Sequence, residues 1–138
     1  MAIQLNDVHF AYTEAPNTDV LNIKSWSVSD QDQVFVHGPS GGGKSTLLNL
    51  LSGMLTATTG EVNVLGERLD TMNARQRDRF RANHIGYSFQ QFNLIPYIDA
   101  IDNIQLAHQF ANKNPQSVLV DEIKSLLSTF DIAQTDWH

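Results

Sequence analysis

The sequence is organised around one glycine-rich stretch, Gly38-Pro39-Ser40-Gly41-Gly42-Gly43-Lys44-Ser45-Thr46. This stretch fits G-x-x-x-x-G-K-[ST] at every fixed position, a pattern in which inward-pointing backbone N–H groups hold a polyphosphate. Glycines are needed because the loop passes through backbone conformations that only glycine adopts at low cost. The pattern therefore predicts a site for the phosphates of a nucleotide.

The side chains at the end of the stretch have predicted roles in that site. Lys44 would place its ammonium on the outer phosphates, and the Ser45 hydroxyl would ligate Mg²⁺. Residues 33–37 have the composition of a strand, and residues 46–51 that of a helix ended by Ser52-Gly53. A helix that begins where the loop ends turns its free N–H groups toward the phosphates. This context argues against the alternative, a glycine-rich turn with a chance Lys-Ser pair.

The composition is that of an ordinary globular protein. With 138 residues, 41% hydrophobic and 17% charged, the chain makes about one domain. A net charge of −6, and nine Lys and Arg residues that form no long basic run, argue against nucleic acid as a partner. The lack of cysteine excludes disulfides and thiolate chemistry and is typical of a cytosolic protein. The five histidines lack the spacing of metal ligands.

The sequence shows neither a secretory signal nor an apolar run of the ~20 residues that cross a bilayer. We therefore expect any membrane role to come through a partner.

The remaining strand patterns predict a mixed α/β fold. Residues 3–12 alternate with one break at Asn6-Asp7, and residues 20–28 form a second strand-like segment joined to the first by a turn. These two predict antiparallel pairing, whereas the strand before the glycine-rich loop predicts a parallel layer. Further strands are predicted at residues 61–66 and 84–89.

Three helices are predicted after the loop and its own helix. Residues 74–83 form a polar helix whose four arginines favour a solvated face over a nucleic-acid surface. Asp99 or Asp102 caps a helix that runs to residue 110, and Asn114-Pro115 begins the next. That last helix carries apolar residues at helical spacing: Leu119, Ile123, Leu126, Leu127 and Phe130.

The stretch Val118-Leu119-Val120-Asp121-Glu122 imitates a Walker B motif, an apolar strand closed by two carboxylates. We reject that interpretation because the helical spacing continues through Asp121. On a helix, two acidic residues in the first turns are favourable for structural reasons alone.

Taken in order, these features resemble the ATP-binding subunit of ABC transporters. The resemblance covers the strand ending at Tyr12, the glycine-rich loop, Thr59-Gly60-Glu61-Val62, and residues 85–96, which end in Phe-Gln-Gln-Phe-Asn-Leu-Ile-Pro. The resemblance implies an incomplete P-loop NTPase core with an N-terminal antiparallel β subdomain (1–90), then the Q-loop and the start of a helical subdomain (91–138). This segment resembles the ATPases of lipoprotein-releasing and macrolide exporters, and amino-acid importers look similar here, so the direction of transport stays open.

The resemblance also implies roles for individual residues. Tyr12 matches the aromatic that stacks on adenine, Lys44 the residue on the β- and γ-phosphates, and Ser45 the magnesium ligand. Gln90 matches the Q-loop glutamine that senses the γ-phosphate through the metal, beside the contact with a membrane-spanning subunit. The ATP-binding residues would be Tyr12, Gly38, Pro39, Ser40, Gly41, Gly42, Gly43, Lys44, Ser45 and Thr46. The implied partners are that membrane subunit and a second ATP-binding subunit, at the cytoplasmic face of the inner membrane.

The sequence departs from the family after the Q-loop. It lacks the Leu-Ser-Gly-Gly-Gln-like signature, the Walker B pair and the switch histidine, so it resembles the N-terminal portion of such an ATPase. We therefore expect Mg-ATP binding with negligible hydrolysis. The strands that flank residues 33–37 in the family are also missing, which predicts self-association or poor order there.

Two alternative functions stay open from the sequence. One is a stand-alone, non-hydrolytic nucleotide-binding module, and the other is an ABC-type ATPase without a membrane partner. The Phe-Asn-Leu-Ile-Pro segment and the absence of a basic stripe favour the transporter over the latter.

Overall fold

A computed structural model of the protein describes residues 1–89, 93–111 and 116–137, with the backbone alone for residues 107–111 and 116–118. The chain divides into two compact units, Met1–Arg81 and Ala82–His138. Gln90, Gln91, Phe92 and the predicted helix start at Asn114-Pro115 lie outside the described residues.

The first unit is built on a four-stranded antiparallel sheet. Its strands are β1 (Ile3–Phe10), β2 (Leu21–Val28), β3 (Thr59–Val64) and the short β4 (Glu67–Arg68), in the spatial order β2-β1-β3-β4. The register places Phe10 opposite Leu21 and Leu5 opposite both Trp26 and Val62. The predicted antiparallel pairing of the first two strands is confirmed.

The predicted break at Asn6-Asp7 is a β-bulge. Asp7 takes a left-handed φ of 47°, and between the pairs Asn6–Glu61 and His9–Thr59 two residues of β1 oppose the single Gly60 of β3. Gly60 is required there, because a Cβ at its φ of 92° would lie 2.2 Å from the Asp7 carbonyl oxygen. The bulge shifts the alternation so that Leu5 and Val8, three residues apart, are both fully buried.

Two helices belong to this part of the chain. Helix α1 spans Lys44–Leu51 and helix α2 spans Ala74–His84, which confirms both helix predictions. Asn73 and Gln76 cap α2 reciprocally, each side chain accepting the other's backbone N–H at 3.0 Å and 2.9 Å. Arg81 donates to the Gly53 carbonyl at 3.0 Å and Arg77 to the Met72 carbonyl at 2.5 Å, so at least two of the four arginines support the fold.

The second unit packs two helices around a small core. Helix α3 spans Ala100–Ala111 and helix α4 spans Gln116–Thr129. Asp99 caps α3, since its carboxylate accepts the Asp102 N–H at 2.7 Å. The core consists of Ile101, Leu119, Ile123, Leu127 and Trp137, with Ile104 packed against it.

The buried face of helix α4 is narrower than the apolar stripe predicted from its sequence. Leu126 and Phe130 are exposed, because the core takes only the i, i+4, i+8 face formed by Leu119, Ile123 and Leu127. The rejection of the Walker B interpretation is confirmed, since Asp121 and its neighbour lie within α4 and are exposed.

The prediction of strands at residues 33–37 and 84–89 is wrong. Neither segment is a strand, and the described residues contain an antiparallel sheet without the expected parallel layer. The physical reason is that a strand needs a neighbour for its ladder of hydrogen bonds, and no described residue pairs with residues 33–37. Phe35 in that segment is 86% exposed. Self-association through it stays a prediction.

Candidate nucleotide site

The glycine-rich loop leads directly into helix α1. The helix begins at Lys44, and Gly43 precedes it in a left-handed conformation with φ 78° and ψ 4°. The Gly43 carbonyl accepts the first intrahelical bond, from the Leu47 N–H at 2.8 Å. Glycine is required because a Cβ here would lie 2.9 Å from the Val20 carbonyl oxygen and 2.8 Å from Leu21 Cδ2. The loop is thus anchored against the start of β2.

The Lys44 ammonium lies across this loop. Its Nζ donates to the Gly38 carbonyl at 2.9 Å and to the Pro39 carbonyl at 2.7 Å. The Pro39 carbonyl also accepts the Gly42 N–H at 3.2 Å, which closes a tight turn. The one cationic side chain of the stretch is therefore held beside the N-terminus of α1, where helix N–H groups and the helix dipole favour an anion.

Tyr12 lies next to the first turn of α1. Its hydroxyl shares a 3.1 Å hydrogen bond with Thr46 Oγ1, and its ring meets the Phe10 ring edge to face at 4.9 Å between centroids. Tyr12 is 42% exposed, whereas Thr46 and Phe10 are buried. The end of β1 is thereby joined to the helix that follows the loop.

The backbone near Tyr12 is held in place by hydrogen bonds to two other segments of the chain. The Val20 N–H donates to the Phe10 carbonyl at 2.8 Å, and the Ala11 N–H donates to Thr58 Oγ1 at 3.2 Å. His9 Nδ1 and Asp19 Oδ2 lie 2.9 Å apart across the connection between β1 and β2. These contacts fix the chain that carries the aromatic ring.

The predicted site residues thus fall into two groups. Tyr12, the loop residues 38–43, Lys44, Ser45 and Thr46 lie together in the first unit, with Ser45 exposed in the first turn of α1. Gln90 lies outside the described residues. Sequence reasoning missed the supporting residues Phe10 and Val20. The approach of Val20 to Gly43 joins residues far apart in the sequence, and the edge-to-face contact of Phe10 with Tyr12 depends on ring orientation, which the alternation of a strand does not specify.

The donor set fits a triphosphate with Mg²⁺. A Cβ placed at Gly38 or Gly41 would meet nothing within 4 Å, so the loop leaves open room beside its backbone. In the described part of the chain no group of three or more His, Cys, Asp or Glu side chains could hold a metal ion. Mg²⁺ commonly takes only one or two protein ligands together with phosphate oxygens and water, and the Ser45 hydroxyl is an oxygen of that kind.

Comparison with known proteins decides the family. A family model described as "ABC transporter" matches residues 21–137. The chain belongs to the ABC transporter family. It is similar to an ABC transporter ATP-binding protein of Mycoplasma pneumoniae, with 34% identity over 88% of this chain and 26% of that protein. It is also similar to the lipoprotein-releasing system ATP-binding protein LolD of Francisella tularensis, with 33% identity over 77% of this chain and 46% of that protein.

Solved ABC structures agree with this assignment. The dimeric ATP-binding cassette MJ0796 bound to ADP and Pi matches 98% of this chain and 60% of its own length, with a TM-score of 0.84 and 25% identity. The fold of the ABC chain is therefore that of a P-loop ATPase cassette, as predicted, and nucleotide binding with Mg²⁺ is general in this family.

The ABC chain spans about a quarter of the length of the first curated relatives it matches and 60% of the MJ0796 cassette. Within the described part of the chain, each helix is too short or too polar to cross a membrane.

Proposed function

We propose that this ABC chain binds Mg-ATP in the loop of residues 38–46 and supplies the nucleotide-binding part of a transporter ATPase. The observation that carries the proposal is the placement of the Lys44 ammonium beside both the glycine-rich loop and the N-terminus of α1. A fixed cation, free helix N–H groups and an open glycine backbone are together complementary to a polyphosphate.

Each residue of the site has a distinct part in this proposal. Lys44 exchanges its carbonyl partners for oxygens of the outer phosphates, and backbone N–H groups of the loop and of the first turn of α1 bind the inner ones. Ser45 offers its hydroxyl to Mg²⁺, which when bound neutralises phosphate charge. Tyr12 presents its exposed ring to the base. Gln90 keeps the role implied by the family, as a sensor of the γ-phosphate.

We propose further that the bound ATP is hydrolysed very slowly by this chain alone. Efficient ATP hydrolysis needs a residue that orients or activates the attacking water, a part that the Walker B carboxylates take in this family. Asp121 and Glu122 imitate such a pair in sequence, yet both lie within helix α4 rather than at the end of a strand. In a complete assembly the hydrolysis would be coupled to transport through a membrane-spanning subunit near the Q-loop and a second ATP-binding subunit, at the cytoplasmic face of the membrane.

Isothermal titration calorimetry of Mg-ATP into the whole chain tests the binding proposal. Lys44→Ala removes a charged hydrogen-bond donor, so we expect the dissociation constant to rise about 10- to 100-fold. Lys24→Ala, which removes an exposed ammonium from β2, is the matched control and should leave the affinity unchanged. Absence of ATP binding by the folded wild-type chain at millimolar nucleotide, or equal affinity of Lys44→Ala and wild type, would overturn the proposal.

A phosphate-release assay tests the second part. We expect no steady-state turnover above the buffer background. Turnover by the wild-type chain that Lys44→Ala abolishes would show that this chain is a competent ATPase, contrary to the proposal.

A further inference from the structure

The hydrogen bond between Tyr12 and Thr46 joins the two ends of the proposed nucleotide site. Thr46 is only 5% exposed and stands in the first turn of α1, directly after Lys44 and Ser45. A threonine in a helix commonly turns its hydroxyl back to the carbonyl four residues earlier. Here the hydroxyl of Thr46 lies 3.1 Å from the Tyr12 hydroxyl, 34 residues away in the sequence. Helix α1 could form without this hydrogen bond to the Tyr12 hydroxyl.

Two contacts together determine the orientation of the Tyr12 ring. The Phe10 ring, itself only 5% exposed, meets the body of the Tyr12 ring at 4.9 Å and an interplanar angle of 87°. The Thr46 hydroxyl holds the far tip of the same side chain. Because tyrosine has only two side-chain torsions, one contact on the ring and one at its tip leave it a single orientation.

The Tyr12 ring is held in this way while the residue stays 42% exposed. A ring that is already immobilised loses little side-chain entropy when a ligand stacks on it, and preorganisation of this kind increases affinity. Stacking on an aromatic ring accepts any planar base. The contribution of Tyr12 to binding therefore depends on the group that orients it.

We infer that Thr46 is a positioning residue, whose hydroxyl holds the Tyr12 ring ready for a planar base and so sets how much of the nucleotide affinity comes from the base. This inference rests on the proposed nucleotide site. It goes beyond that proposal in giving the Thr46 side chain a role in base recognition, although Thr46 is the last residue of the phosphate loop in sequence.

The inference is tested by comparing ATP with tripolyphosphate, which has the phosphates and lacks both the ribose and the base. For each variant of the whole chain, calorimetry with Mg²⁺ gives the ratio of the tripolyphosphate dissociation constant to the ATP dissociation constant. We expect this ratio to fall about three- to tenfold in Tyr12→Phe and in Thr46→Val, the range that one hydrogen bond accounts for. The double variant should fall no further than either single variant, because both remove the same bond.

Two further variants separate positioning from a general loss of structure. Thr46→Ser keeps the hydroxyl and should keep the wild-type ratio. Tyr97→Phe makes the same chemical change on a tyrosine of the second unit that is 85% exposed, and should also leave the ratio unchanged. If Thr46→Val does not fold, as judged by circular dichroism, Tyr12→Phe decides alone, because its side chain is partly exposed and keeps its ring.

The possible failures are distinguishable. A wild-type chain that binds neither ATP nor tripolyphosphate would refute the proposed function. A wild-type chain that binds both equally well, or a Tyr12→Phe ratio equal to that of wild type, would refute the positioning role and leave the phosphate site intact.

Discussion

Adding one methyl group at Gly43 should destabilise the chain much more than adding it at Gly41. The two glycines have nearly the same positive φ, 78° at Gly43 and 79° at Gly41. Their surroundings differ. A Cβ at Gly41 would meet nothing within 4 Å, whereas a Cβ at Gly43 would lie 2.9 Å from the Val20 carbonyl oxygen and 2.8 Å from Leu21 Cδ2. Alanine at these positions thus makes a matched pair.

The expected magnitude follows from these two contributions. A left-handed φ costs an alanine about 1–2 kcal/mol, and both variants bear this cost equally. Forced packing adds about 1–3 kcal/mol, and only Gly43→Ala bears it. The Leu21 side chain can turn away, but the Val20 carbonyl cannot, because the Val20 N–H is bound to the Phe10 carbonyl at 2.8 Å. Gly43→Ala should therefore be less stable than Gly41→Ala by about 1–3 kcal/mol in the free energy of unfolding.

Urea unfolding of wild type and both variants, followed by far-ultraviolet circular dichroism, measures this difference. The slope of the free energy against urea should be the same for all three chains, so that the midpoints can be compared directly. Equal destabilisation by the two alanines would refute the argument, because it would mean that the loop is not packed against the start of β2. The same result would weaken the geometric basis of the proposed phosphate site.

Two further predictions concern polar contacts away from the loop. The hydrogen bonds from the Arg68 guanidinium, at 2.9 Å and 2.6 Å, and then the Val62 N–H hold the pKa of Asp70 below its usual 3.8. The folded chain therefore binds a proton at the Asp70 carboxyl less readily than the unfolded chain does. The stabilisation that ionised Asp70 contributes is complete above the pKa of Asp70 in the unfolded chain, and it is lost as the pH falls through the pKa in the folded chain. In urea unfolding, the stability difference between wild type and Asp70→Asn should shrink between about pH 6 and about pH 3, and a constant difference would contradict this. Asp99→Ala removes the cap on the Asp102 N–H and should cost about 1 kcal/mol in the same assay; an unchanged midpoint would show that the cap is dispensable.

The features that the sequence predicted correctly are those encoded locally. The helices at α1 and α2 follow from composition and end signals, and apolar spacing identified Leu119, Ile123 and Leu127 of the buried face of α4. The bulge at Asp7 was visible as a single break in alternation. Each of these depends on residues within one or two turns of a helix, or within one strand, so a single stretch of sequence contains the necessary information.

The features that the sequence did not predict depend on distant partners. Residues 33–37 have the composition of a strand. That composition shows only that the residues suit a sheet, and it does not provide the neighbouring strand with which they would pair. The exposure of Leu126 shows the same limit on a helix. Helical spacing of apolar residues identifies those that could be buried, and the packing partner determines which of them are. The bond between Tyr12 and Thr46 spans 34 residues and leaves no trace in either local stretch.

The irregularity at Asp7 has a consequence for the other end of its strand. Leu5 and Val8 are buried on the same side of the sheet only because the bulge adds one extra residue to β1 between them. Phe10 and Tyr12 then follow Val8 at intervals of two residues. In a perfectly regular strand of the same sequence, both aromatic rings would emerge on the opposite surface, out of reach of Thr46. A side chain that disfavours positive φ at residue 7, such as valine, would therefore disturb the handling of a base five residues downstream without touching any ligand.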